Sequence, residues 1–306
     1  MTHSSQAINA ATPVLEIGGT HVTAALVARD GAGQRVDRMR RRPLSASGSA
    51  EQILASLVRA AGELGAPERA TWGVAIPGPF DYQRGIGEYH DVGKFDALAG
   101  VDVRDRLLAE IRPAAAGIVF VNDADAFTIG EWTAGAARGH DRVLGLTLGT
   151  GIGSCFLDRG HPVHSGPTVP PGGYAHLLSI ADRPLEETVS RRAVLAYHRR
   201  LAPDAPSDVD VDDLAKQAGN GDQAARRALT DPFAALGAAL APWVASFRAS
   251  VVTVGGAMSR SWDLVGPPLS AAIRALPATA GVTVTAAGEP EHAALLGAAH
   301  AASHRD

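Results

Sequence analysis

The sequence predicts an α/β protein with about two domains, and two glycine-rich turns are its clearest features. Residues 15–20 (LEIGGT) and 143–153 (VLGLTLGTGIG) are short apolar runs closed by glycine and threonine, the pattern of a buried strand followed by a tight turn. Glycine lets backbone N–H groups approach an anion, and threonine adds a hydroxyl donor. Neither turn matches GxxxxGK[ST] or GxGxxG, which disfavours P-loop and Rossmann architectures. Two such turns in separate halves indicate two loops that grip one polyphosphate.

Composition narrows the class of protein. The 306 residues include 28 basic and 32 acidic side chains, and the net charge of −4 gives no global signal for a nucleic-acid or membrane partner. Residues 1–12 lack the basic and apolar regions of a signal peptide, and no run approaches about 18 apolar residues, so we expect a cytoplasmic protein without a membrane span. The single cysteine, Cys155, excludes an internal disulfide and lies in an apolar run, where we expect a buried thiol.

Apolar runs and helical spacing predict the elements of the first half. We expect a hairpin whose strands begin near residue 14 and span 22–27, with its turn at Gly18-Gly19. A strand over 71–76 is stopped by Pro77-Gly-Pro79. The other predicted elements are a helix over 50–64, a helix over 103–111, a strand over 117–121 and a helix over 125–137.

The second half repeats the design of strand, glycine-rich turn, strand and helix. Proline and glycine dominate 161–173, which predicts a surface loop that carries function. The remaining predictions are helices over 185–201 and 211–229 with a linker at 203–208, a long apolar helix over 232–248, a strand over 250–254 that ends at Gly255-Gly256, a strand near 282–286 and a helix over 291–303.

Six motifs then occur in order along nearly the whole chain: 16–20 (EIGGT), 77–79 (PGP), 122–126 (NDADA), 148–153 (LGTGIG), 254–259 (VGGAMS) and 295–299 (LLGAA). Together they resemble the ROK family of sugar kinases and repressors, within the actin-like ATPase superfamily. The resemblance implies two actin-like (ribonuclease H-like) α/β domains flanking a central cleft. The expected domains are residues 1–118, onto which the C-terminal helix at 291–306 packs back, and residues 119–290.

The resemblance implies that Asp123 is the catalytic base. It would accept the proton of the sugar hydroxyl that attacks the γ-phosphate, in a reaction that depends mostly on positioning and charge stabilisation. Asn122 would hold a sugar hydroxyl in the same turn. The alternative for Asp123 is that of a capping residue for a helix that starts near Ala124.

Three glycine turns are the implied nucleotide site, with ATP as the phosphate donor. The alternative for each is a tight turn that binds nothing. The residues are Gly18, Gly19 and Thr20 for the γ-phosphate, Gly149, Thr150 and Gly151 for the β-phosphate, and Gly255 and Gly256 near the adenosine.

Glu16 departs from the family, which usually has aspartate at this position. Phosphoryl transfer implies Mg²⁺, because a cation bridges the phosphate oxygens. The extra methylene moves the carboxylate outward by about 1.5 Å, one C–C bond. Since Mg²⁺ has strict geometry, we expect Glu16 to act through water.

A second departure concerns zinc and the sugar. The family usually has GEIGH followed by a CxCGxxGC zinc motif, whereas this chain has GGYAH at 172–176 and no cysteine at 179–184. A structural zinc site of that type needs thiolates, so we expect none. Gly173 replaces a sugar-binding glutamate, whereas His176 keeps the family's position as a sugar ligand, with a solvated loop residue as the alternative. Glu186 matches the family's Leu-Glu segment as a sugar ligand, with an acidic first turn of a helix as the alternative.

Lys94 falls at or near the place of a sugar-binding asparagine, unless it is only a solvated loop residue. A pocket that has lost a glutamate and an asparagine predicts an acceptor other than plain glucose. We therefore expect an ATP-dependent carbohydrate kinase acting on the primary 6-hydroxyl of a hexose or modified hexose, such as a cyclitol or an amino sugar like kanosamine in antibiotic biosynthesis. Plain glucokinase and a non-catalytic sugar or nucleotide sensor are the alternatives. A repressor would need an N-terminal helix-turn-helix, for which about a dozen residues are too few. A homodimer is expected by family and by the prevalence of twofold pairing.

Overall fold

The computed structural model describes residues 11–31, 33–149, 151–180, 182–206 and 208–304. The strands are β1 Thr12–Ile17, β2 His21–Asp30, β3 Gly33–Pro43, β4 Thr71–Ile76, β5 Phe80–Asp81, β6 Ile86–Gly87, β7 Gly117–Asn122, β8 Arg142–Leu148, β9 Ile152–Asp158, β10 His161–Pro162, β11 Ser179–Ile180, β12 Arg183–Pro184, β13 Val251–Gly255 and β14 Thr283–Ala286. The helices are α1 Ala50–Gly62, α2 Val103–Glu110, α3 Asp123–Thr133, α4 Glu186–Val189, α5 Arg191–Leu201, α6 Val211–Gly219, α7 Gln223–Phe247, α8 Trp262–Ile273 and α9 Ala293–Ser303.

The chain divides into two compact units. The first runs to Ala134 and takes in the chain again from Glu291, and the second is Gly135–Pro290. This division comes after α3, whereas the sequence analysis placed it near residue 118. The physical reason is that β7 pairs with β4 in the first sheet and α3 packs against α9.

The first unit contains a five-stranded sheet in the order β3-β2-β1-β4-β7. The first three strands are antiparallel, and β1, β4 and β7 run parallel. Strand alternation gives the sheet two apolar faces. Leu15 and Ile17 belong to the core that includes α1 and α2, whereas Val14 belongs to the core that includes α9.

The second unit repeats this plan. Its five-stranded sheet has the order β10-β9-β8-β13-β14, with an antiparallel hairpin β8-β9 followed by the parallel strands β13 and β14. The shared design indicated by the sequence is thus present in both sheets. Cys155 is buried on β9, as expected.

Helix boundaries in the second unit differ from the prediction. The predicted break before Pro232 is wrong: Pro232 lies inside α7, and the break comes at Gly221, whose φ of +95° suits glycine, and Asp222, which caps α7. The predicted helix over 185–201 is divided at Ser190, which caps α5. By length and composition α7 could cross a membrane, but half of its most apolar window is buried inside the unit, as in a core helix.

Two of the longer elements were not predicted, β3 and α8. The β3 sequence, GQRVDRMRRRP, has almost no apolar alternation, because it is an exposed edge strand. α8 contains Pro267 and Pro268, which ordinarily end a helix.

Candidate functional site

The carboxyl ends of three parallel strands form one edge of the first sheet. β1 ends at the Gly18-Gly19 turn, β4 ends at Pro77, and β7 ends at Asn122. The register pairs Glu16 with Ala75 and Ile76 with Asn122. Open α/β sheets bind ligands at this edge, so the topology brings the first glycine turn and the NDADA motif to a common place in the first unit.

Asn122, not Asp123, is the N-cap of α3. Its Oδ1 accepts the backbone N–H of Ala124 at 2.9 Å and of Asp125 at 3.3 Å, and its Nδ2 donates to the Tyr82 hydroxyl at 2.9 Å. Asp123 is the first residue of the helix, with Oδ1 accepting the N–H of Ala124 at 2.9 Å. The capping role considered for Asp123 therefore belongs to Asn122. Both the oxygen and the nitrogen of the Asn122 amide have hydrogen-bond partners.

The Asp123 carboxyl lies among charged groups. Burial raises its pKa, the Lys94 ammonium opposes that rise, and the Asp125 carboxylate adds to it. Lys94 is exposed, but the next residue, Phe95, is fully buried with its ring centroid 5.5 Å from that of Tyr89. The structure thus anchors the segment that carries Lys94 and places its charge close enough to act on Asp123.

Glu16 is the second carboxyl at this edge. Burial raises its pKa to about 6, with Arg41 lowering it, Asp123 raising it, and a hydrogen bond from Thr23 lowering it. Mg²⁺ in kinase sites uses one or two carboxylates together with phosphate oxygens and water. The carboxylate of Glu16 fits Mg²⁺ in its donor chemistry, and Asp123 lies close enough for its charge to act on Glu16. Among the residues that the structure describes, no group of three or more metal-ligating side chains occurs.

The first glycine turn is organised by His21, a residue that sequence analysis missed. The backbone N–H of Gly18 donates to the His21 carbonyl at 2.9 Å, and Thr20 Oγ1 lies 3.1 Å from His21 Nδ1. Gly19 and Thr20 are exposed. Arg41, also missed, places Nη2 2.9 Å from Nε2 and 3.1 Å from Nδ1 of the same ring. The basic run at 38–42 could have drawn attention to Arg41, but only the pairing of β3 with β2 shows which of its side chains lies at the turn.

In the second unit, the β8-β9 turn contains Gly149 and Gly151, and the predicted Thr150 lies outside the described residues. The N–H of Gly149 donates to the Gly151 carbonyl at 3.1 Å, and the N–H of Arg191 donates to the Gly149 carbonyl at 3.1 Å. A Cβ on Gly151 would collide with Oε1 of Glu186. The structure therefore brings Glu186 to this turn.

Gly255 and Gly256 adjoin the same region of the second sheet. Gly255 pairs with Thr147 of β8. Gly256 has φ of +88°, and a Cβ there would collide with the backbone of Leu148. Glycine is required here on both counts. The two glycine turns of the second unit thus lie at the ends of neighbouring parallel strands.

His176 lies in a short 3₁₀ turn, Ala175–Leu177, held by a serine on β9. Ser154 Oγ donates to the Gly173 carbonyl at 2.8 Å and accepts the N–H of Ala175 at 2.8 Å. The His176 ring centroid is 5.2 Å from that of Tyr174. Gly173 has φ of +70°, a backbone conformation that disfavours the glutamate usual in the family.

The chain is similar to known proteins over nearly its whole length. The sequence pattern of the ROK family matches residues 13–305. The chain belongs to the ROK family. It is 27% identical to a glucokinase of Thermotoga maritima over 308 residues, covering 93% of this chain and 95% of that protein.

Solved structures share the fold. A ROK hexokinase from Thermus thermophilus matches with a TM-score of 0.76 and 24% identity, covering 96% of this chain and 98% of the other. A ROK family glucokinase from Streptomyces griseus, in complex with glucose and AMPPNP, matches with a TM-score of 0.74 and 24% identity over 95% and 98% of the two chains. The predicted actin-like α/β fold class is confirmed.

Proposed function

We propose that this protein transfers the γ-phosphate of ATP to a hydroxyl, the primary 6-hydroxyl, of a hexose or modified hexose, with Asp123 as the base. The enzyme class follows from the comparisons: the chain is an ATP-dependent sugar kinase. The observation that carries the proposed mechanism is the position of Asp123. It is the first residue of α3, directly after β7, on the same sheet edge as the first glycine turn, and the charge of Lys94 acts on it.

The proton transfer suits the environment of Asp123. As the sugar oxygen bonds to the γ-phosphorus and the bond to ADP breaks, the hydroxyl proton passes to the Asp123 carboxylate. A base works best when its pKa lies near the operating pH, and burial raises the Asp123 pKa from its ordinary acidic value. Lys94 limits that rise, because its positive charge favours the ionised form of the carboxyl that accepts the proton.

The glycine turns are our proposed nucleotide ligands. Exposed Gly19 and Thr20 offer donors to the γ-phosphate, and the turn around Gly149 and Gly151 would meet the β-phosphate. Gly255 and Gly256 would accommodate the adenosine. The Streptomyces griseus relative is described with AMPPNP, an ATP analogue, which supports ATP as donor.

Glu16 would hold Mg²⁺, through water. Bound there, the ion supplies charge neutralisation on the phosphate oxygens during transfer. The longer side chain of glutamate is compatible with this role, because the carboxylate is fixed by Thr23 and lies close enough to Asp123 for their charges to interact. No thiolate set for a structural zinc exists in a chain with one cysteine.

The acceptor is our finer proposal, a modified hexose rather than plain glucose. Gly173 supplies no carboxylate, and Lys94 adds a cation near the base. We propose His176 and Glu186 as hydroxyl partners of the acceptor, and Glu186 also lies at the Gly151 turn. Cyclitols and amino sugars such as kanosamine are the candidate classes. Two ammonium groups repel, so an uncharged acceptor fits beside Lys94 better than one whose amine faces it.

A coupled ADP-release assay with Mg-ATP tests the proposal. The panel contains glucose, mannose, N-acetylated and free amino hexoses, kanosamine and C7 cyclitols, with Asp123→Asn as the control variant. We expect turnover on one modified acceptor that exceeds turnover on glucose and is lost in Asp123→Asn. Preference for glucose would make this a plain glucokinase. Binding of sugar and nucleotide by calorimetry without turnover on any acceptor would instead favour a sensor.

A further inference from the structure

A row of three polar side chains crosses the first sheet beside the glycine turn. The register pairs Glu16 of β1 with Thr23 of β2, and Thr23 with Arg41 of β3. Directly paired residues point to the same face of a sheet, so all three side chains share one face. Thr23 donates a hydrogen bond to Glu16, and the Arg41 charge acts on the same carboxyl.

His21 holds the Arg41 guanidinium at the turn. The two distances of 2.9 and 3.1 Å from Arg41 Nη2 to the ring nitrogens place the guanidinium against the imidazole. The other contacts of His21, with Gly18 and with Thr20, belong to the turn itself. Burial and the Arg41 charge both lower the His21 pKa, which favours the neutral ring, the form that can accept from the guanidinium.

A phosphate bound at this edge of the sheet needs positive charge beside it, because the edge is already acidic. Glu16 and Asp123 are acidic, Asp125 acts on Asp123, and a terminal phosphate adds further negative charge. Lys94 offsets the charge on the Asp123 side. Arg41 lies on the opposite side, at the exposed edge strand, where its five N–H donors can reach beyond His21.

We propose that Arg41 is a phosphate-binding residue of this enzyme, which contacts the terminal phosphate oxygens of the donor at the Gly18–Thr20 turn, and that His21 is its positioning residue. The inference rests on the proposed kinase function. A guanidinium presents parallel N–H donors that match phosphate oxygens, and charge-assisted hydrogen bonds of this kind are stronger than neutral ones. The proposal adds a side chain of β3 to an ATP site that otherwise consists of backbone turns.

Calorimetric titration of ATP and AMP against variants tests this. Arg41→Met removes the charge and keeps an unbranched side chain, and Arg40→Met is the matched control, because Arg40 is the exposed neighbour whose side chain points to the opposite face of β3. We expect Arg41→Met to weaken ATP binding ~10- to 100-fold, the effect of a lost charged hydrogen bond. AMP lacks the terminal phosphates, so its affinity should change less than ~2-fold, about the size of a typical neutral surface substitution.

Two further variants separate charge from position. Arg41→Lys should retain part of the ATP affinity, and His21→Phe should raise the KM for ATP while leaving the KM for the acceptor unchanged. Equal thermal unfolding of Arg41→Met and the parent protein verifies the fold. Equal loss of ATP and AMP binding, or ATP binding and turnover unchanged in Arg41→Met, would overturn the inference while leaving the kinase intact. Selective loss of ATP binding in a protein that phosphorylates none of the sugars would uphold Arg41 and refute the proposed function.

Discussion

Replacing Glu16 with glutamine should stabilise the ligand-free protein at neutral pH. Glu16 is half-buried near a second carboxyl, and desolvation raises its pKa from the usual 4.5 to about 6. A raised pKa in the folded state means that the folded protein binds the proton more strongly than the unfolded chain does. The stability that protonation of Glu16 gives the folded protein is fully present below pH 4.5 and is lost as the pH rises through about 6.

The size of the effect follows from that difference. Each pKa unit corresponds to about 1.4 kcal/mol, so a rise from 4.5 to about 6 means that the ionised Glu16 costs the folded state about 2 kcal/mol at pH 7.5. Glutamine keeps the shape and can still accept from Thr23, but it carries no charge. For a unit of this size, about 2 kcal/mol raises the melting temperature by roughly 4–8 °C.

Urea unfolding of both proteins at pH 7.5 and pH 4.5, without nucleotide or divalent cation, measures this directly. We expect Glu16→Gln to be more stable at pH 7.5, with the difference closing toward pH 4.5, where Glu16 is protonated in the parent protein. The Arg40→Met variant serves as a control for a surface change on the same sheet. Equal stability of Glu16→Gln and the parent at pH 7.5, or a difference that does not depend on pH, would refute the reasoning.

Three other predictions concern the base, the two glycine turns of the second unit, and the segment that carries His176. Lys94→Met removes a charge that lowers the Asp123 pKa, so the acidic limb of kcat/KM, where activity is lost as the base is protonated, should move to higher pH in a pH–rate profile. Gly256→Ala should cost about 3 kcal/mol or more in urea unfolding, because φ is +88° and the new Cβ meets the Leu148 backbone; Gly151→Ala, whose Cβ meets only the movable Glu186 carboxylate, should cost much less. Ser154→Ala leaves the Gly173 carbonyl and the Ala175 N–H without their serine partner, and should lower the free energy of unfolding by about 1–3 kcal/mol and raise the acceptor KM.

The sequence predicted those features that depend on local chemistry. The hairpins around the Gly18 and Gly149 turns follow from apolar runs that end in glycine, and the structure contains both. These features could be predicted because each depends on a short stretch of residues.

The features that could not be predicted from the sequence depend on pairing between distant segments. Arg41 reaches the first turn only because of its register with Thr23, and β3 has no apolar alternation from which that register could be inferred. The sequence analysis considered only Asp123 as the helix cap, and it missed the cap at Asn122 because both residue types favour that position. The break at Gly221 was missed because Pro232 is the stronger local signal, and burial of the α7 surface overrides it.

Single-turnover kinetics test Asp123 as the base for phosphoryl transfer, because they separate the chemical step from binding. Single-turnover transfer from ATP to the preferred acceptor is measured in the parent protein and in Asp123→Asn, with ATP and acceptor affinities determined for both. We predict that the transfer rate falls by ~10²–10⁴, the range for loss of a general base, while both affinities change little. A variant that transfers phosphate at the parental rate, or one that loses rate only because it no longer binds ATP, would contradict the account.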